Sequence, residues 1–181
     1  GTLVKRKEDC NPGQKNLFVE RKQLSKSCNI LIFNTFIDIL SLQLTWNYKG
    51  GFSLDSIDYY NRYAVPYYEE TVDVSMEEVM DHFAQLLPEN AEVLDLGCGS
   101  GRDTIALEER GFYVTPMDGS EEMCKLAEVN TDEEVLLMTY EEMDFDDVFD
   151  GIWACASLVH LTEEEMKETL DKLVQALKMD G

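Results

Sequence analysis

From Ser56 onward, apolar residues recur with two alternating periods, one near 3.6 residues and one near two. Ser56 is placed to cap a short helix over 57–64, expected to end near Val65 because Pro66 disfavours helical geometry in the residue before it. Met76, Val79, Met80, Phe83, Leu86 and Leu87 then follow helical spacing up to Pro88, behind a capping box at Ser75-Met76-Glu77-Glu78. Glu92–Leu96 reads as a buried strand, followed by a helix from about Arg102 to Arg110 that Gly111 closes. Phe112–Met117 is a second strand, after which Ser120 caps a third segment of helix. Val135–Met138 and Phe149–Ser157 are further strands. A second capping box, Thr162 to Glu165, opens a final helix with Met166, Leu170, Leu173, Val174 and Leu177 on its apolar face. This alternation predicts an α/β fold with a parallel, right-handed, doubly wound sheet and a ligand site at the carboxyl ends of the strands. Upstream, Asn11-Pro12-Gly13 marks a turn, Ile30 to Trp46 fits one or two strands, and Gly50-Gly51 reads as a hinge.

The candidate chemistry sits where the first of these strands runs out. Asp95-Leu-Gly97-Cys98-Gly99-Ser-Gly101 carries glycines at alternate positions, so the backbone turns with positive φ and leaves no Cβ between itself and a ligand. The nicotinamide fingerprint G-x-G-x-x-G needs its third glycine at Arg102, which argues against an NAD-dependent oxidoreductase. Asp118 stands at the end of the next strand, 23 residues beyond Asp95. In Rossmann-like sites an acid at this distance reaches two adjacent ribose hydroxyls. The alternative role for Asp118 is to sit as an acid at the start of the helix that Ser120 caps.

This run resembles motif I of the class I S-adenosylmethionine-dependent methyltransferases, and the resemblance extends roughly from Asp58 to the C-terminus. It implies S-adenosylmethionine as cofactor and methyl transfer to a small-molecule acceptor, or alternatively a non-catalytic cofactor-binding module. Gly97, Cys98, Gly99 and Gly101 would approach the methionine part, Asp95 its amino group, and Asp118 with Gly119 the ribose. Met123 would lie against the adenine, although it could equally be helix core. The usual adenine acid falls at Thr139, which leaves Glu141 or Glu142 as its substitute. Ala154 would border the sulfonium, and Ser157 and His160 would meet the acceptor, His160 as a base or as a plain loop histidine. The Tyr60-x-x-x-Ala64-x-x-Tyr67 spacing is similar to the aromatic segment that lines the acceptor pocket in this family, with half-buried packing as its plainer alternative. The family's sheet has seven strands and only four have sequence here. The chain is therefore expected to be truncated after the fourth strand, its open edge covered by the N-terminal segment or by a second copy of the chain.

Charge and composition narrow the partners. The net charge of −22 is unevenly spread: residues 1–50 carry +4 and residues 51–181 carry −26. That boundary separates a basic segment, 1–50, from the expected catalytic domain, 51–181. Such an excess of acid is repelled by phosphate backbones and anionic lipid, so nucleic acid and membrane are not expected as partners. The 5 cysteines form no C-x-x-C pair, which suits a reducing, cytoplasmic setting and predicts no metal site. The apolar run at 30–46 includes Asn34, Asp38 and Gln43 and is too short and polar to span a bilayer comfortably.

Overall fold

A computed structural model describes the backbone of residues 14–18 and 30–35 and the full chain from 56 to 178. The turn expected at 11–13, the hinge at 50–51 and the strand residues expected at 36–46 lie outside the described residues. In chain order the strands are β1 (Gln14–Phe18), β2 (Ile30–Thr35), β3 (Glu92–Leu96), β4 (Tyr113–Asp118), β5 (Leu136–Leu137) and β6 (Gly151–Cys155). The helices are α1 (Ser56–Thr71), α2 (Glu77–Ala84), α3 (Arg102–Glu108), α4 (Glu121–Thr131) and α5 (Glu163–Ala176).

The sheet runs β1-β2-β6-β3-β4-β5. Strands β5, β4, β3 and β6 are mutually parallel, with Leu94 opposite Thr115 on one side and Ile152 on the other. Along β3 the period of two decides the layers. Val93 joins Met80, Phe83, Leu107 and Trp153 under α2 and α3, while Leu94 and Leu96 join Ile152, Ala154 and Leu173 under α5. With both faces covered, the ends of the strands are where a ligand can reach the sheet. No helix among the described residues is long and apolar enough to cross a membrane.

The edge at β6 is not open. β2 pairs with it in parallel, Ile30 opposite Ile152 through Phe33 opposite Cys155, and β1 closes onto β2 antiparallel. Of the two covers expected for that edge, the N-terminal segment supplies this one, its backbone groups pairing with those of β6.

Two local expectations are modified. The helix starting at Ser56 breaks at Tyr63 (φ −121°, ψ 20°), close to the end expected before Pro66, and a second helical stretch then carries the chain through the proline to Thr71. The break lies three residues before the proline, whose ring would otherwise meet the preceding turn and whose missing N–H leaves a bond unmade. The box at 75–78 does not form. Helix α2 begins one residue later with Met76 at its cap, and the Ser75 hydroxyl accepts only from Glu77 N–H at 3.4 Å.

Candidate functional site

The glycine turn is held to the end of β4 from both directions. Gly97 N–H and Cys98 N–H donate to the Met117 carbonyl at 2.8 and 3.0 Å, and Gly99 N–H donates to Asp118 Oδ2 at 2.9 Å. Asp118 Oδ1 accepts from Ser120 N–H at 2.8 Å. Burial pushes the Asp118 pKa up, while the N–H groups of Ser120, Gly99 and Gly119 act in the opposite direction and favour its charged form. Asp118 also lines the cavity beside the turn.

Positive φ is required at three turn glycines, but space distinguishes them. A Cβ on Gly97 (φ +71°) would lie 2.4 Å from Ser157 Cβ, and one on Gly101 (φ +83°) 2.7 Å from Thr131 Cγ2. A Cβ on Gly99 (φ +57°) would meet no protein atom within 4 Å. Gly97 and Gly101 are thus small because the protein packs against them, and Gly99 faces open space.

That space is a cavity of about 700 Å³ at the carboxyl ends of β3, β4 and β6. Gly97, Gly99, Asp118, Gly119 and Met123 line it together with Tyr60, Tyr67, Ser157 and His160. Met123 is 1% exposed and serves both helix core and cavity wall. Cys155 and Ala156 form the β6 margin, in place of the neighbouring Ala154, which is buried in the core beneath α5.

Some expected site residues turn away. The Asp95 side chain is on the α3 face of β3, 2% exposed, and accepts from the Thr104 hydroxyl at 2.6 Å. Burial first, then the nearby Asp103 carboxylate, push its pKa up to about 8. Cys98 and Gly101 are buried and do not line the cavity. Glu142 is spent on its own turn, accepting from Thr139 N–H at 2.8 Å and the Thr139 hydroxyl at 3.0 Å, while Glu141 reaches the wall.

Helix α1 is strapped across the site by residues that sequence reading did not single out. Asn61 Oδ1 accepts from the Ser120 hydroxyl at 2.8 Å and from Glu122 N–H at 3.3 Å. Arg102 donates from Nη1 to the Thr71 carbonyl at 2.9 Å and from Nε to Asp103 at 2.7 Å, and Asp103 in turn accepts from Trp153 Nε1 at 2.9 Å. On the cavity wall, Tyr60 Oη and His160 Nε2 are 3.2 Å apart. His160 keeps a solvent-facing edge, yet partial burial lowers its pKa below the ordinary histidine value. Burial raises the pKa values of Tyr60, Tyr67 and Tyr140, so all three are neutral phenols. Tyr140 donates to the Ser157 carbonyl at 2.8 Å, whereas the buried Ser157 hydroxyl has no protein partner. Among the described residues no cluster of His, Cys, Asp and Glu could hold a metal ion.

Comparison with known proteins places this geometry. Residues 93–181 match a family model described as a methyltransferase domain. The chain is 37% identical over 102 residues to a Bacillus subtilis protein named "Putative methyltransferase YqeM", covering 52% of this chain and 41% of that protein. It is 23% identical over 141 residues to a ubiquinone biosynthesis O-methyltransferase of Rickettsia typhi, covering 75% of this chain and 52% of that one. The chain therefore spans about half or less of the length of these relatives. Among solved structures, a TehB-like S-adenosylmethionine-dependent methyltransferase from Corynebacterium glutamicum superposes with a TM-score of 0.57 at 22% identity, covering 68% of this chain and 69% of that one, a likeness of fold. Residues 93–181 thus match a methyltransferase domain, and the sheet that carries them has the fold of the S-adenosylmethionine-dependent methyltransferases.

Proposed function

We propose that this chain transfers the methyl group of S-adenosylmethionine to a small-molecule acceptor. The observation that carries the reading is a single cavity lined both by a glycine turn with a carboxylate and by neutral hydrogen-bonding aromatics. The turn fits the cofactor: the space a Gly99 Cβ would fill is open, and Asp118 brings a carboxylate to the same cavity for the ribose. When bound, S-adenosylmethionine supplies a methyl group on a sulfonium that is already a good leaving group.

The protein's own task is then alignment and exclusion of water, which in favourable intramolecular models is worth up to about 7–11 kcal/mol. Gly97 and Gly99 bring the backbone to the methionine end, Asp118 and Gly119 hold the sugar, and Met123 packs beside the adenine. Asp95 supports the turn from beneath through Thr104 rather than touching the ligand. Tyr60 and Tyr67 shape the acceptor end, with Ser157 and His160 as its polar contacts.

Calorimetry with S-adenosylhomocysteine on the intact chain tests the reading. Binding is expected in the wild type and at least tenfold weaker in Asp118→Ala, with the thermal transition retained. Unchanged affinity in that variant, or no affinity in the wild type, overturns it. Tight binding without methyl transfer to any acceptor would instead assign a non-catalytic module.

A further inference from the structure

We propose that the acceptor is an amine, received between Tyr60 and Tyr67 and relieved of its proton through Tyr60 by His160. The inference rests on the methyltransferase reading and goes beyond it to the substrate class. Charge gives the first argument. The cavity wall holds the carboxylates of Asp118, Glu141 and Glu165 and neither Lys nor Arg. Arg102, the cation nearest the turn, is committed to Asp103 and the Thr71 carbonyl. Residues 56–178 carry thirty-one Asp or Glu against seven Lys or Arg. An anionic acceptor would enter against this field, whereas an ammonium is drawn in by it.

The shape of the acceptor end gives the second. Tyr60 and Tyr67 stand edge to face with ring centroids 5.2 Å apart, and Tyr60 and His160 likewise at 5.9 Å. This corner offers ring faces to a cation, an attraction that strengthens as water is excluded.

The third is the proton path. With His160 protonated at Nδ1, the Tyr60 hydroxyl donates to Nε2 across 3.2 Å, which leaves the Tyr60 oxygen free to accept from the substrate nitrogen. As the ammonium gives a proton to Tyr60 Oη, the Tyr60 proton passes to His160 Nε2, and the phenol stays neutral throughout. The lone pair left on nitrogen forms the N–C bond to the methyl carbon. The C–S bond breaks with its pair returning to sulfur, giving the methylated amine and S-adenosylhomocysteine. The imidazolium then loses its proton to water from its exposed edge.

The test uses the full chain saturated with S-adenosylhomocysteine and titrated with benzylamine, benzyl alcohol, catechol and benzoate. Benzylamine is expected to bind at least tenfold tighter than benzyl alcohol or catechol, with benzoate binding weakest. Glu165→Gln retains the helix cap, because Gln can still accept from Thr162 N–H, and is expected to weaken benzylamine about threefold while sparing S-adenosylhomocysteine. Tyr60→Phe is expected to spare S-adenosylhomocysteine binding but to lower transfer of labelled methyl to benzylamine at least tenfold. Equal or tighter binding of the alcohol or catechol, or of none of the four, overturns the amine assignment while leaving the cofactor reading standing. Failure of S-adenosylhomocysteine itself to bind overturns both.

Discussion

The same substitution, Gly→Ala, at three positions of one turn separates what the fold needs from what the ligand needs. All three glycines have positive φ, +71° at Gly97, +57° at Gly99 and +83° at Gly101. An alanine in that region costs about 1–2 kcal/mol, partly offset by the roughly 0.4–1 kcal/mol gained from a less flexible unfolded chain. Gly99→Ala adds no clash, since nothing lies within 4 Å of the new Cβ, so its net cost is expected near 1 kcal/mol. Gly97→Ala drives its methyl to 2.4 Å from Ser157 Cβ, and Gly101→Ala to 2.7 Å from Thr131 Cγ2 and 3.3 Å from the Ala127 Cα. Relieving such contacts shifts backbone and adds about 1–3 kcal/mol, for totals near 2–4 kcal/mol. Gly97 is expected to be the worse of the two, because Ser157 Cβ is fixed to its own backbone, whose Cα is also only 3.5 Å away, whereas the Thr131 methyl is the end of a side chain that can turn. Urea unfolding of the three variants measures the stabilities, and calorimetry with S-adenosylhomocysteine measures the site. Gly99→Ala is expected to remain folded and lose at least tenfold in affinity, since its methyl enters the cradle. Wild-type affinity in Gly99→Ala, or a stability loss as large as that of Gly97→Ala, would refute the assignment of that open space to the cofactor.

Three further expectations follow from charged groups. Asp95 has a folded-state pKa raised above its unfolded value by burial and by Asp103, so the folded state binds the extra proton; its contribution is full below about pH 4 and is lost as pH rises through about 8. Asp95→Asn, whose carbonyl still accepts from Thr104, is therefore expected to flatten the fall in stability with pH and to gain on the order of 1–3 kcal/mol near pH 8–9, as read by denaturant midpoints across that range. Arg102→Ala removes the donor to the Thr71 carbonyl and one partner of Asp103, for a loss of about 1–3 kcal/mol, with faster proteolysis within α1 than elsewhere as its signature. Because burial lowers the His160 pKa, the neutral imidazole that can accept a proton is expected to dominate as pH rises through a value below 6.5, so kcat should rise across that step in the wild type and show no such step in His160→Asn.

What the amino-acid sequence revealed and what it concealed divide along a physical line. Strand β3 was legible to the residue, and the starts of α3, α4 and α5 with it, because apolar period, cap residues and glycine turns act over a few residues of chain. Asp118 was legible because the turn and the end of β4 must lie side by side once both strands are parallel neighbours. The inward fate of Asp95 was written in the same pattern but needed it applied more strictly. Position 95 shares its face with Val93, and Val93 faces α2 and α3, so a carboxylate there had to find a partner such as Thr104 beneath the turn. Pro66 was legible as a break, which falls at Tyr63, but not the second helical stretch beyond it, which brings the Thr71 carbonyl to the Arg102 guanidinium; the Ser75 box failed because α2 starts one residue later.

No local rule reaches the contacts that assemble the acceptor end. Tyr60 and His160 meet across a separation of 100 residues, Asn61 and Ser120 across 59, and β2 joins β6 from the far side of the whole domain. Each such pairing has a closure entropy that its own contact does not repay, so it exists only because the sheet has already brought both partners near. The glycine turn is built from neighbours in sequence and the tyrosine wall of the cavity from strangers. Substitutions at Tyr60, Asn61 and Arg102 should therefore be coupled, since each straps the same helix over the same cavity. A double variant Asn61→Ala/Arg102→Ala whose stability loss equals the sum of the two single losses would show that α1 is held piecewise and not as one lid.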